Sequence, residues 1–113
     1  MTLATKEIKT IRQSLGCSQE ILATIIGVGT RTIVRWEHEE SHPHPIAQEK
    51  IRKIEKLTDK LLEVFSPKDA VKWLHTPNNS IDGRSPLKEI AYNENGLGNV
   101  LNILTAIEWG VFA

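Results

Sequence analysis

The stretch SQEILATIIGVGTRTIVRWE, residues 18–37, decides how this chain folds. Ser18 carries the hydroxyl that starts helices by accepting a first-turn N–H. Ile21, Leu22, Ile25 and Ile26 follow at the three- and four-residue spacing of a helix core face. Gly27 and Gly29 bracket a tight turn. A second short helix is expected from about Thr30 to His38, with Ile33 and Trp36 spaced to face inward. Two short helices joined by such a turn form a helix-turn-helix layout.

Helical spacing continues in both directions. Upstream, Ile8, Ile11 and Leu15 make an apolar stripe that ends at Gly16, a candidate left-handed cap. Downstream, EESHPHP at 39–45 reads as a solvated connector interrupted by two prolines. A long helix is expected from about Ile46 to Phe65. Ile46, Ala47, Ile51, Ile54, Leu57, Leu61, Leu62 and Phe65 give it a heptad-like seam. That seam suits packing on its own domain, alone or together with a dimer contact. Ser66-Pro67-Lys68-Asp69 and Ser85-Pro86 each place Ser at N-cap and Pro at the first helical position. Ala70, Trp73 and Leu74 would face inward from the first of these helices; Leu87, Ile90 and Ala91 would do so from the second. A last helix, about Leu97 to Trp109, is expected to bury Val100, Leu101, Leu104 and Ile107. No alternating strand pattern and no internal repeat is present. The expected fold is all-α, in two linked halves, 1–45 and 46–113.

The 113 residues are 40% apolar and 25% charged, which fits a globular domain and excludes a disordered one. No apolar run approaches the ~18 residues of a membrane span, so no membrane partner is expected. The start, MTLATKEIKT, lacks the apolar segment of a signal peptide. A single cysteine, Cys17, cannot make an internal disulfide, which points to a reducing cytoplasmic setting. The net charge is zero but unevenly spread. Residues 1–36 carry five Lys/Arg against two Glu, and residues 37–113 carry nine against twelve Asp/Glu. Phosphate contacts are therefore expected in the basic first part.

In a helix-turn-helix unit the second helix enters the major groove with its N-terminal residues at base edges. Thr30, Arg31 and Val34 would occupy those positions, with Arg35 at the groove wall. Arg31 can make the bidentate contact to guanine. Thr30 and Thr32 are short enough for a phosphate or a thymine methyl. Ser18 and Gln19 stand at the N-terminus of the preceding helix, where free N–H groups and the helix dipole favour phosphate. The expected partner is double-stranded operator DNA, read by a homodimer over two half-sites. Glu39 and Glu40 put carboxylates near the groove, so binding should be modest and salt-sensitive.

At Gly27-Val28, Thr32-Ile33 and Arg35-Trp36-Glu37 this unit resembles the Xre and lambdoid-repressor family over roughly residues 7–45. It departs from that family at Gly29, where Ser or Thr usually caps, and at His38-Glu39-Glu40, where a basic residue or glycine is common. The second half contains Ala70-x-x-Trp73-Leu74, Thr76-Pro77-Asn78, Ile81 and Gly83-Arg84-Ser85-Pro86-Leu87, then Val100, Leu104 and Ile107-Glu108-Trp109-Gly110-Val111-Phe112-Ala113. In that order these resemble the toxin-binding domain of the MbcA/ParS/Xre antitoxins, over about residues 60–113. The resemblance implies an antitoxin that silences a RES-domain toxin, which attacks NAD, or a related ADP-ribosylating toxin. It also implies repression of the antitoxin's own operon. Trp109, Gly110, Val111, Phe112 and Ala113 would then form the toxin-contacting end, with Trp109 anchoring the last helix and Val111 and Phe112 engaging the toxin. Ala106 stands where many members carry arginine. The alternative is an apolar end folded back onto its own core.

No catalytic set is present. Cys17 and the histidines sit on unrelated elements, there is no Gly-rich phosphate loop, and Asp69, Asp82, Glu89 and Glu108 read as surface or capping carboxylates. His38, His42 and His44 lie near Glu39 and Glu40, but Pro43 interrupts the helix that would align His38 with His42. No metal or other cofactor is expected. Two other functions compete with the antitoxin: a solitary helix-turn-helix regulator without a toxin, and an interaction adaptor with weak DNA binding, which His38-Glu39-Glu40 favours.

Overall fold

The structure, a computed structural model, describes residues 5–110, with side chains from Ile8 onward. Its described residues form seven α-helices, one 3-10 turn and no strand. The helices are α1 Thr5–Leu15, α2 Gln19–Ile26, α3 Thr30–Glu37, α4 Pro45–Val64, α5 Pro67–Leu74, α6 Pro86–Tyr92 and α7 Gly96–Glu108. The short turn spans Asn79–Ile81.

The boundaries follow the capping chemistry. Ser18 accepts from the Ile21 N–H, Ser66 from that of Asp69, and Ser85 from that of Lys88. Pro67 and Pro86 occupy first-turn positions, where a missing N–H costs nothing. The connector before α4 is more ordered than its composition suggests. His44 Nδ1 accepts from the Ala47 N–H at 3.3 Å and so caps the helix, and the Gln48 amide donates to the Pro43 carbonyl at 2.8 Å.

One apolar core runs through both halves. Ile8, Leu15, Leu22, Ile33 and Trp36 pack into the same cluster as Ile51, Ile54, Leu57, Leu74 and Leu104. Each such side chain contributes roughly 1.5–3 kcal/mol when fully buried. α4 packs against α1, α5 and α7, while α2 also meets α6. The buried stripe on α4 is narrower than the expected seam. Ile46 is 79% exposed and Leu62 47%. Neighbouring residues on a helix differ by ~100° in direction, so Ala47 and Leu61 take the inward positions and turn Ile46 and Leu62 outward. Phe65 is half-buried and pairs with Trp73 at a ring-centroid distance of 5.5 Å. On α7, Val100 and Leu104 are buried, but Leu101 and Ile107 are only half-buried, because α6 and α4 cover a single stripe of it.

Two contacts fix how α5 meets the turn between α1 and α2. Gly16 ends α1 with φ +61°, and a Cβ there would sit 2.6 Å from Val71 Cγ1. Both the left-handed backbone and the close approach of α5 require glycine. His75 Nε2 donates to the Gly16 carbonyl at 3.0 Å and lies 3.4 Å from that of Leu15.

Candidate functional site

α3 packs mainly on α1 and α2, which leaves one face open. On that face Thr30, Arg31 and Arg35 are exposed, and Thr32 and Val34 are half-buried. Neither arginine has an ion-pair partner among the described residues. Gly29 provides no side-chain cap, so the N–H groups of Thr30 and Arg31 have no cap, while that of Thr32 donates to the Gly29 carbonyl at 3.1 Å. Ile33 and Trp36 lie in the core, 0% and 2% exposed, as their spacing predicts. Ser18 is exposed at the start of α2, and Gln19 beside it is half-buried.

The orientation of α3 is set by Glu37 at its end. Arg12 of α1 reaches this carboxylate through Nε at 2.7 Å and through its second terminal nitrogen at 3.1 Å. The Gln19 amide of α2 donates to it at 3.0 Å. Burial works against the charge on Glu37. The bonds from Arg12 and Gln19, with the charges of Arg12 and Lys9, outweigh burial and hold the carboxyl below its ordinary range. The bond to Glu37 in turn raises the Arg12 guanidinium. The Gln19 side chain is thus committed inside the unit, leaving the α2 N-terminus to present backbone N–H groups. Immediately after α3, Glu39 sits at φ +60°, and both Glu39 and Glu40 are exposed.

The second half holds a site that sequence reasoning missed. Glu89, which reads as a surface or capping carboxylate in the sequence, is 1% exposed. Arg84 donates to Oε1 from Nε at 2.9 Å and forms an ion pair at 2.8 Å through a terminal nitrogen. The Asn93 and Asn99 amides each donate to Oε2 at 2.9 Å. The Asn99 bond does most to lower this carboxyl; burial opposes it, and Arg84 and Asn93 reinforce it. Gly96 closes the arrangement, since a Cβ there would lie 1.8 Å from the Glu89 carbonyl oxygen. The loop that presents Arg84 is itself closed: Asn78 N–H donates to the Arg84 carbonyl, and Gly83 N–H donates back to the Asn78 carbonyl, both at 3.0 Å. The clue in the sequence was Glu89 and Asn93 four apart on α6, with Arg84 just before the helix.

At the end of α7, Trp109 is 76% exposed, so it does not anchor the helix. That role falls to Lys60 of α4, whose ammonium meets Glu108 at 2.6 Å. Gly110 is exposed; Val111, Phe112 and Ala113 lie outside the described residues. Burial pushes the Cys17 thiol up to about 11, so it is protonated at neutral pH and a poor nucleophile. Among the described residues no three His, Cys, Asp or Glu gather as a metal site, and no helix is long and apolar enough to cross a membrane.

Two short helices joined by a tight turn and packed on a third define a helix-turn-helix protein. The helix-turn-helix family model matches residues 8–65, and the model of the antitoxin Xre/MbcA/ParS C-terminal toxin-binding domain matches residues 60–110. The chain therefore belongs to the helix-turn-helix family, and its second half matches the toxin-binding domain of the Xre/MbcA/ParS antitoxins. The mycobacterial cidal antitoxins MbcA of Mycobacterium bovis and Mycobacterium tuberculosis are each 25% identical to it over 100 residues, covering 88% of this chain and 87% of theirs. A chain of the crystal structure of the M. tuberculosis MbcT–MbcA toxin-antitoxin complex shares the fold, with a TM-score of 0.71 at 23% identity over 96% of both chains.

Proposed function

We propose that this chain is a cytoplasmic, non-enzymatic antitoxin that binds and neutralises a RES-like, NAD-degrading or related ADP-ribosylating toxin, and that binds operator DNA as a homodimer to repress its own operon. The observation that carries this is the pairing of an unobstructed α3 face with a toxin-binding domain in the family order. Residues 1–45 would read DNA. Arg31, Thr30 and Val34 meet base edges; Thr32, Arg35, and the N-terminus of α2 at Ser18 and Gln19 meet phosphates. Residues 46–113 would bind the toxin and the second subunit, with Trp109, Gly110, Val111, Phe112 and Ala113 as the apolar contact. The 76% exposure of Trp109 supports a contact role.

A pull-down of the tagged chain from its native cells tests the toxin half. Recovery of a stoichiometric RES-like or ADP-ribosylating partner is expected, and its absence favours the solitary regulator. A mobility shift on the chain's own promoter tests the other half. Arg31→Ala should weaken specific binding by about 5- to 150-fold, the worth of one bidentate base contact of ~1–3 kcal/mol. The exposed Glu39 and Glu40 favour an adaptor; no shift even at low salt would make that the better description.

A further inference from the structure

A groove of about 440 Å³ opens where the DNA-reading half meets the second half. Ile21 of α2 forms one wall, and Pro77, Leu87 and Ala91 make the rest apolar. At its rim stand Lys88 and Tyr92 of α6. Tyr92 is 68% exposed although Leu87 and Ile90 on the same short helix are buried. Lys88 is exposed and has no ion-pair partner among the described residues. The other basic groups here are committed: Arg84 to Glu89, and His75 to the Gly16 carbonyl. No carboxylate lines the groove.

We propose that this groove is a second docking point for the toxin, and that it receives an apolar segment carrying a carboxylate. The inference rests on the antitoxin function proposed above. Charge complementarity selects the occupant: one uncompensated ammonium beside an apolar floor suits a hydrophobic side chain with an acidic neighbour. An exposed aromatic next to a cation is also the composition of interface anchors, and grooves between structural units are preferred binding sites. An occupant would touch α2 directly and would lie beside His75, which bonds the turn leading into α2. Toxin seated there is therefore read by the DNA-binding half, and by linkage operator and toxin must alter each other's affinity equally.

The test is toxin affinity of the full-length chain against Lys88→Glu/Tyr92→Ala, with Lys88→Arg as the conservative variant and a chain lacking residues 111–113 as comparison. The double variant should weaken toxin binding at least tenfold, while its melting temperature and operator affinity without toxin stay at wild-type values. Lys88→Arg should bind normally. If the double variant melts early, Lys88→Ala alone carries the test, with an expected loss of threefold or more. Unchanged toxin affinity in a folded groove variant overturns the groove, even where the truncated chain loses binding. A groove variant that alters self-association and leaves toxin affinity intact shows a second copy as the occupant and overturns it equally. Failure of the wild-type chain to bind any toxin removes the antitoxin function itself, a different result from wild-type binding that the variants leave untouched.

Discussion

The side chains of Glu37 in the helix-turn-helix half and Glu89 in the second half are both buried, and each is held by one arginine and by one or two side-chain amides. Their partners differ in reach. Arg12 and Gln19 come to Glu37 from 25 and 18 residues away, on two other helices. Arg84, Asn93 and Asn99 lie within 10 residues of Glu89. The first clasp sets the mutual placement of α1, α2 and α3, and so the direction in which the α3 arginines point. The second closes a single stretch, from the loop at Arg84 through α6 into α7. The same chemistry orients α3 in one half and stiffens a local frame in the other.

The largest effects come from removing either carboxylate. Glu89→Ala and Glu37→Ala should each cost about 3 kcal/mol, because each leaves one or more amides without their charged acceptor, while the freed arginine is partly solvated. Urea unfolding measures this. Operator titration then separates the two clasps at temperatures where both variants remain folded: Glu37→Ala should weaken DNA binding beyond its effect on folded population, and Glu89→Ala should not. Equal damage to DNA binding by both would break the distinction between an orienting and a local clasp.

Gly96→Ala comes next, at about 2–3 kcal/mol, because its Cβ meets backbone that cannot rotate away. The corresponding overlap in the first half, Gly16 against Val71, involves a side chain, but Gly16 also has positive φ. Gly96→Ala should destabilise without altering α3, again visible as a lower melting temperature with unchanged operator affinity per folded molecule.

Acid should weaken both clasps. Each carboxyl is held below its ordinary value of 4.5 in the fold. The folded state thus binds these protons less readily than the unfolded chain. Their stabilisation is complete above the unfolded value and is lost as pH falls through the folded ones. Unfolding followed from pH 6 downward should show stability declining below about pH 4.5. Glu37→Gln and Glu89→Gln should each flatten that decline. A wild-type slope retained in Glu89→Gln would mean that its carboxyl does not contribute to the acid sensitivity.

The unequal legibility of the clasps has a physical origin. Helices α1–α3 could be traced because apolar spacing, Ser18 and the glycines agree locally, and Ile33 and Trp36 followed from the same period. The second-half caps at Ser66 and Ser85 were equally plain. A buried acid carries no such periodic mark. Glu89 is recognisable only when Arg84, Asn93 and Asn99 converge on it, and that requires the chain reversal between α6 and α7. Gln19 shows the same limit: its position at a helix start suggests phosphate, while Glu37 becomes its partner only once α2 and α3 have packed. Ile46 and Leu62 fit a heptad by number, but the neighbours of α4 cover a narrower arc. Trp109 is apolar enough to anchor a helix, yet nothing on α4 or α6 encloses it, and the Lys60–Glu108 pair holds that turn instead.

The smallest effects test how far each clasp extends into its helix caps. Ser18→Ala and Ser85→Ala should each cost about 1 kcal/mol, or roughly 4 °C in melting temperature for a chain of this size. Combining them with the clasp mutations is more informative. Ser85 adjoins Arg84, which Glu89 holds, and its hydroxyl caps the helix that carries Glu89 by accepting from the Lys88 N–H at 3.3 Å. Ser85→Ala with Glu89→Gln should therefore be non-additive by at least 0.5 kcal/mol, as expected for neighbours in one network. Ser18 caps α2, while Glu37 takes its contact from the adjacent Gln19 side chain rather than from the cap. Ser18→Ala with Glu37→Gln should add to within about 0.5 kcal/mol. Additivity at both sites would show that the second clasp is no more local than the first. Coupling at Ser85 alone would fix the loop, cap and carboxylate of the second half as one cooperative frame, distinct from the long-range brace behind α3.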